Sequence, residues 1–272
     1  MKHKEHLRDL LVSQGLVKST AEAERLILAA QVRVDGEIQT QAGALIPSGA
    51  QLELLERIRY VSRGGLKLEG ALEDFAFDPS GLRSIDVGAS SGGFTDCLLQ
   101  RGAASVVAVD VGYGQFDWKL RVDKRVRLYE RTNIAKADPA ELGAPFELLV
   151  ADLSFTSLAR LASRFSELLG EQGQVIALVK PQFELPRNLV EDGIVRSPKL
   201  HVQALSSVLE AYKKAGLMPQ GLSYSPLLGA KGNTEFWIWA AKRGAHATID
   251  ATEVVRRAHQ HFFDRDETPR PE

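Results

Sequence analysis

Ile85-Asp86-Val87-Gly88-Ala89-Ser90-Ser91-Gly92-Gly93-Phe94 decides the fold: a short apolar strand runs into a glycine-rich turn, and the turn opens a helix. Backbone in such a turn approaches a ligand closely, and only small side chains leave it room. Outward from this point, strand-sized apolar runs alternate with amphipathic segments, the pattern of a parallel sheet wrapped by helices. Strands are expected at 83–87, 105–111, 126–130, 148–153, 174–180, 221–226 and 235–241, with a helix from 66 to about 75 leading in. Seven strands with interleaved helices define an α/β fold, a Rossmann-like domain.

The turn also discriminates between cofactors. A dinucleotide site needs Gly-x-Gly-x-x-Gly to cradle a pyrophosphate, and Ser90 occupies the second glycine position. S-adenosylmethionine carries no phosphate, so the loop Gly88, Ala89, Ser90, Ser91, Gly92, Gly93 and Phe94 favours that sulfonium cofactor and a class I methyltransferase sheet. Asp110 closes the second strand 22 residues after Gly88, where a carboxylate can accept both ribose hydroxyls. Asn133, just past the third strand, is the candidate for the adenine edge, or else a turn residue. Cys97, on the helix that follows the loop, reads as a packing residue.

A chain of 272 residues exceeds what one core normally uses, so two domains are expected. With 34 Lys+Arg against 35 Asp+Glu the net charge is near zero, which leaves RNA binding to local clusters of basic residues. A single cysteine excludes an internal disulfide, and the charged N-terminus carries no secretory signal, so a reducing cytoplasm is expected. The longest apolar runs are strand-sized, which argues against a membrane partner.

Before the sheet domain, residues 4–57 read as two short amphipathic helices followed by short strands. Ser19 with Glu22 forms a capping box, and Val32–Ile38 alternates about an Asp35-Gly36 turn. This small α+β module resembles the S4 RNA-binding domain through Leu10–Leu16, Ser19, Arg25–Ile27 and Val32–Gly36. It departs from that family at His6 and Thr20, where arginines are usual, so two phosphate contacts are weakened. Residues 58–65 form a basic linker ending in a Gly64-Gly65 hinge, the catalytic domain spans 66–243, and 244–272 hold a C-terminal helix (about 250–263) and a frayed tail.

Ligands in an open parallel sheet bind beyond the carboxyl ends of its strands, so polar residues that close apolar strands are the ones to weigh. Asp152 closes the fourth strand and Lys180 the fifth, while Glu235 opens the seventh, whose start lies on the same rim if that strand is antiparallel. Lys67, at the start of the leading helix, can reach the same cleft. A Lys-Asp-Lys-Glu tetrad suits alkylation of a ribose hydroxyl, which sheds a proton as it attacks the sulfonium methyl, and a lysine accepts a proton where burial or a second amine favours its neutral form. Lys180 is assigned as the base or hydroxyl-steering group, Asp152 and Glu235 as its orienting partners, and Lys67 as the group that tunes charge and touches RNA. Pro181-Gln182-Phe183 is expected to fix Lys180 in a rigid turn.

Taken together, Tyr60–Leu68, Asp86–Leu99, Val109–Gln115, Glu130–Asn133, Asp152–Phe155, Val179–Glu184 and Gly232–Phe236 closely resemble the TlyA family of FtsJ-type rRNA methyltransferases, sometimes labelled haemolysins. The resemblance implies 2′-O-methylation of ribosomal RNA, at a cytidine in a subunit or ribosome and not on DNA, with Lys67, Asp152, Lys180 and Glu235 matching the family's tetrad. At Ala151 this chain is smaller than its relatives often are. Two rival readings are an RNA- or ribosome-binding factor that holds the cofactor without turnover, motivated by His6 and Thr20, and a membrane-lysing protein, for which the sequence offers little.

Overall fold

The computed structural model describes residues 4–28, 31–54, 59–244 and 247–263. They fall into two compact units, Met1–Arg59 and Tyr60–Glu272.

In the smaller unit, β1 (Lys4–His6) leads into α1 (Leu7–Ser13) and α2 (Thr20–Leu28). There follow β2 (Val32–Val34), β3 (Glu37–Ile38), β4 (Leu45–Pro47) and β5 (Leu52–Leu54). β2 is the centre of a β3-β2-β5 sheet, and β1 pairs with β4. Asp35 and Gly36 both have positive φ (50° and 85°), the backbone of a tight hairpin turn between β2 and β3. Leu7, Leu10, Leu11, Ala23, Ile27 and Val32 pack into one core. The cap at Ser19 forms, its Oγ accepting from Glu22 N–H at 3.2 Å. The return bond shifts by one residue: Glu22 Oε2 accepts from Lys18 N–H at 3.0 Å, not from Ser19. β1 has no counterpart in the sequence reading, because Lys-Glu-His carries no apolar alternation to reveal a strand.

In the larger unit, α3 (Arg63–Asp74) precedes β6 (Arg83–Val87), α4 (Gly93–Gln100), β7 (Ser105–Val109), α5 (Trp118–Arg121), β8 (Val126–Tyr129) and α6 (Pro139–Leu142). Then come β9 (Phe146–Ala151), α7 (Leu158–Leu168), β10 (Leu169–Val179), α8 (Pro181–Glu184), α9 (Pro198–Lys214), β11 (Met218–Tyr224), β12 (Phe236–Ala241) and α10 (Ala251–Phe262). Among the described residues the strands form one seven-stranded sheet, β11-β12-β10-β9-β6-β7-β8. It is parallel from β8 to β10, and β12 runs antiparallel to both β10 and β11. β6 pairs with both β7 and β9, so the order reverses there and a crevice opens beyond its carboxyl end.

Burial on both faces explains why these strands read as continuous apolar runs: Leu148–Ala151 and Val175–Val179 are all buried. α7 offers Leu158, Leu161, Ala162, Phe165 and Leu168 to the core at helical spacing. Each leucine or phenylalanine among them contributes about 1.5–3 kcal/mol by leaving water. β10 begins five residues before the expected 174, since Leu169 pairs with Phe146 ahead of a register shift. α10 starts where Asp250 accepts from Thr252 and Glu253 N–H, and it packs Val255 and Ala258 inward.

The expected hinge at Gly64-Gly65 is corrected by the structure. Both glycines lie in the first turn of α3, which begins at Arg63. Their role is close packing, because a Cβ on Gly65 would collide with the buried Tyr60 ring. The first residue of the proposed connector, 58, lies outside the described residues, as do 55–57 before it and the tail 264–272.

Candidate active site

The loop after β6 takes its shape from backbone that other residues cannot adopt or fit. Gly88 has φ +86°, and a Cβ there would strike the Asp152 carbonyl; Ser90 itself sits at φ +50°. Asp110, just past β7, secures the loop: its Oδ2 accepts from Ser90 N–H at 2.7 Å and its Oδ1 from Gly112 N–H at 2.6 Å. Beneath it, the fully buried Asp86 accepts two bonds from Thr95, the N–H at 3.0 Å and the hydroxyl at 2.7 Å. Burial pushes the Asp86 carboxyl up to about 7, outweighing the Thr95 bonds, and nearby Asp152 and Asp110 add to the rise.

Two cavities meet along this loop and share Gly88, Ser90 and Asp152. The larger, about 490 Å³, is lined among others by Val109, Asp110, Asn133, Ile134, Leu153 and Phe155. Apolar walls with a few fixed polar groups suit a nucleoside-sized ligand. Asn133 serves here as a turn residue too, its Oδ1 accepting from Ala135 N–H at 2.9 Å. The smaller chamber, about 270 Å³, is walled by the rest of the loop, including Ala89, Ser91, Gly93 and Phe94, together with Lys67, Gly229 and Ala230. Phe94 forms its apolar floor, with the ring tilted on Trp237 at 5.5 Å. Gly92 is the exception among the loop residues: it packs against Leu120 and Phe116 behind the turn.

Lys67, Asp152, Lys180 and Glu235 come from four separate segments and gather here as two ion pairs. Lys67 Nζ donates to Glu235 Oε2 at 2.6 Å, with the side chains 13% and 2% exposed. Lys180 Nζ lies 2.5 Å from Asp152 Oδ1 and donates to Ser154 Oγ at 3.2 Å. The expectation that Glu235 orients Lys180 is therefore corrected: its direct partner is Lys67, because β12 delivers Glu235 to the α3 side of the chamber. The pairs still sense one another. Burial raises the Glu235 pKa, opposed by Lys67 and more weakly by Lys180, while Asp152 adds to the rise.

Lys180 is held from below. In place of a bare turn, Pro181–Glu184 forms a short helix with proline in its first turn. Glu184 accepts from Ser157 Oγ at 2.6 Å and from Leu158 N–H at 2.7 Å, joining α8 to the start of α7. Glu235 depends on Gly229 in the same way, since a Cβ on that glycine would occupy the Glu235 carboxylate's space.

Sequence reasoning did not single out Gly229, and it gave Phe155 no role beyond closing the Asp152–Phe155 motif. Phe155 is 90% exposed at the rim of the larger cavity, with φ +62°, and its ring lies 5.2 Å from that of Phe183. An aromatic three residues beyond a catalytic-looking strand end was the available signal. Among the described residues no His, Cys, Asp or Glu cluster is arranged to hold a metal, and no helix is long and apolar enough to cross a membrane.

Comparison with known proteins places this geometry. Residues 60–242 match the FtsJ-like methyltransferase model and residues 7–52 the S4 domain model. The chain is 42% identical to the 16S/23S rRNA (cytidine-2′-O)-methyltransferase TlyA of Mycobacterium tuberculosis, over 84% of this chain and 87% of that one. It is 35% identical to Hemolysin A of Brachyspira hyodysenteriae, over 85% of this chain and 97% of that protein. A solved candidate hemolysin from Streptococcus thermophilus superposes with a TM-score of 0.76 at 39% identity, covering 98% of this chain and all of that one. With a glycine loop over a switch-point crevice and a matching model over its whole sheet domain, the chain belongs to the FtsJ-like methyltransferase family.

Proposed function

We propose that the protein transfers a methyl group from S-adenosylmethionine to the 2′-hydroxyl of a cytidine in ribosomal RNA, working in the cytoplasm on a ribosomal subunit or ribosome. The observation that carries this reading is the convergence of Lys67–Glu235 and Lys180–Asp152 beside the glycine loop. The residues present fit the cofactor. Gly88 leaves room for close backbone approach, Asp110 holds a carboxylate at the ribose position, and the larger cavity has the size and apolar walls of a nucleoside site. Asp110 keeps accepting capacity beyond its two backbone bonds, as each carboxylate oxygen takes more than one donor. When bound, S-adenosylmethionine supplies an electrophilic methyl on a positively charged sulfur.

The chain's own residues then do three things. Lys67, fixed by Glu235, presents a donor at the chamber wall that holds the RNA ribose. Lys180 and Asp152 orient the 2′-hydroxyl, and the proton it sheds reaches Lys180 Nζ as that group passes its own to the paired Asp152 carboxylate. The Phe155 ring, exposed and backed by Phe183, offers a face for a nucleobase. Positioning supplies most of the rate, since the donor is intrinsically reactive. The S4-type module supplies further RNA affinity.

The deciding experiment follows transfer of labelled methyl to ribosomal subunits, with mass spectrometry locating the modified ribose. Wild-type protein should label one or a few cytidine riboses, and Lys180→Ala should lose about 10²–10⁴-fold in rate. Unchanged labelling by Lys180→Ala would refute the catalytic assignment.

A further inference from the structure

Next to the smaller chamber in the chain lies a third cavity, about 370 Å³, that the proposed methyl transfer does not use. Its walls include Arg196, Lys231, His201 and His259, and among the described residues no carboxylate lines it. Arg196 is exposed and makes no ion pair among the described residues. Lys231 donates to the Asp192 carbonyl at 2.9 Å, a neutral partner that leaves its charge uncancelled. Lys231 also sits at φ +57°, backbone that lysine rarely adopts and that must be held by its surroundings.

The holding is visible. Buried Asn233 accepts from Val195 N–H at 3.0 Å and donates to the Gly193 and Ala230 carbonyls at 2.9 and 3.0 Å. It thereby ties the Arg196 wall to the Lys231 wall. The imidazoles are fixed as well. His201 Nε2 lies 2.9 Å from the Val195 carbonyl, which can only accept, so that nitrogen carries the proton. Burial pushes the His201 pKa down to about 4, so its Nδ1 accepts, and the His259 Nε2 at 3.0 Å is the donor.

The location gives the cavity its meaning. Gly229 and Ala230 line the catalytic chamber, and Lys231 and Gly232, the next two residues, line this cavity. One turn separates them, which brings the cavity close to the chamber that would receive the ribose. Phosphate contacts set the register of a nucleic acid without reading its sequence.

We propose that Arg196 and Lys231 form a phosphate site that receives an RNA backbone phosphodiester close to the methylated nucleotide and so sets which ribose enters the chamber. This rests on the reading of the chain as an RNA ribose methyltransferase.

The test uses the full-length protein and ribosomal subunits, comparing wild type with Arg196→Ala, Arg196→Glu and Arg196→Ala/Lys231→Ala. The double variant should raise KM for the subunit about tenfold, leave S-adenosylmethionine affinity within twofold, and flatten the salt dependence by roughly 0.7 log units per log unit for each lost contact. Arg196→Glu should weaken binding further, and Arg196→Ala alone, at an exposed position, guards against a folding defect in the double variant. Inorganic phosphate, compared with chloride at equal ionic strength, should raise the wild-type KM and leave that of the double variant unmoved. Unchanged KM and salt slope in active, folded variants would overturn the proposal. So would phosphate that alters kcat without competing with RNA, since that marks a site for free anion. Wild-type protein that transfers no methyl to RNA would sink the activity reading, and this site with it, by a separate signature.

Discussion

Lys67 and Glu235 stand 168 positions apart in the chain, yet Lys67 Nζ lies 2.6 Å from Glu235 Oε2 in a site from which water is nearly excluded. The bond joins α3, the first helix of the larger unit, to the start of β12, its last strand, beside the chamber proposed for the chemistry. Desolvation offsets much of what a buried ion pair gains, yet breaking the pair is costly, because the survivor is left charged without a partner.

Glu235→Ala should accordingly destabilise the catalytic unit by about 3–5 kcal/mol, whereas Glu235→Gln, which retains volume and an acceptor, should cost less. Chemical denaturation of both variants provides the comparison, and equal losses would show that the charge is not what matters.

Gly229→Ala tests the same pair without touching either member. The backbone at Gly229 has φ −78°, so alanine meets no conformational penalty, but its methyl would occupy the space of the Glu235 carboxylate. Methyl transfer should fall at least tenfold while the melting temperature moves by a few degrees; full activity would mean that Glu235 has room to retreat.

Phe155→Ala should leave S-adenosylmethionine binding by calorimetry nearly intact and weaken productive RNA engagement. Loss of a base-stacking face is worth about 1–3 kcal/mol, or roughly 5- to 150-fold in kcat/KM. Phe155→Tyr should retain most of the activity. An equal defect in both would remove stacking as the cause.

Asp86 makes stability fall with rising pH. Its folded carboxyl titrates at about 7 against 3.8 for the unexposed-to-burial reference, so between these values the folded chain holds a proton that the unfolded chain has released. The favourable contribution is complete below about pH 4, declines through the interval and is gone above about pH 7. Asp86→Asn abolishes this titration, so the variant's stability relative to wild type should climb between pH 4 and 7 and then level off. A difference that stays flat over that range would contradict the shift.

The sheet was legible because burial on both faces writes long apolar runs: the expected 83–87 is β6 itself, and the other strands overlap their observed spans. Asp152 and Lys180 stood out for a related reason, since a charge that ends an apolar run has few places to go, whereas Glu235 and Lys67 were legible from their place at the start of a strand and of a helix. The pairing of the four was not legible. Which acid meets which amine depends on the angle at which α3 and β12 approach the rim, and no local pattern encodes it. Gly64-Gly65 misled because glycine marks both hinges and tight packing, and the Tyr60 ring that decides between them is a tertiary contact. Phe155 was legible only as the end of the Asp152–Phe155 motif, because its neighbours Ser154 and Thr156 mark a loop without telling which way the ring faces, and only its 90% exposure reveals a surface.

Gly88 has no room for a side chain because the Asp152 carbonyl stands against it. The loop proposed to hold the donor and the segment that carries Asp152 are thus a single wall seen from two sides. A change that enlarged the donor loop would displace the acid in the same step, so the enzyme cannot trade its alkyl source and keep its hydroxyl chemistry by independent mutations. Selecting variants for bulkier sulfonium analogues should therefore return paired substitutions, one at the loop and one at the end of β9.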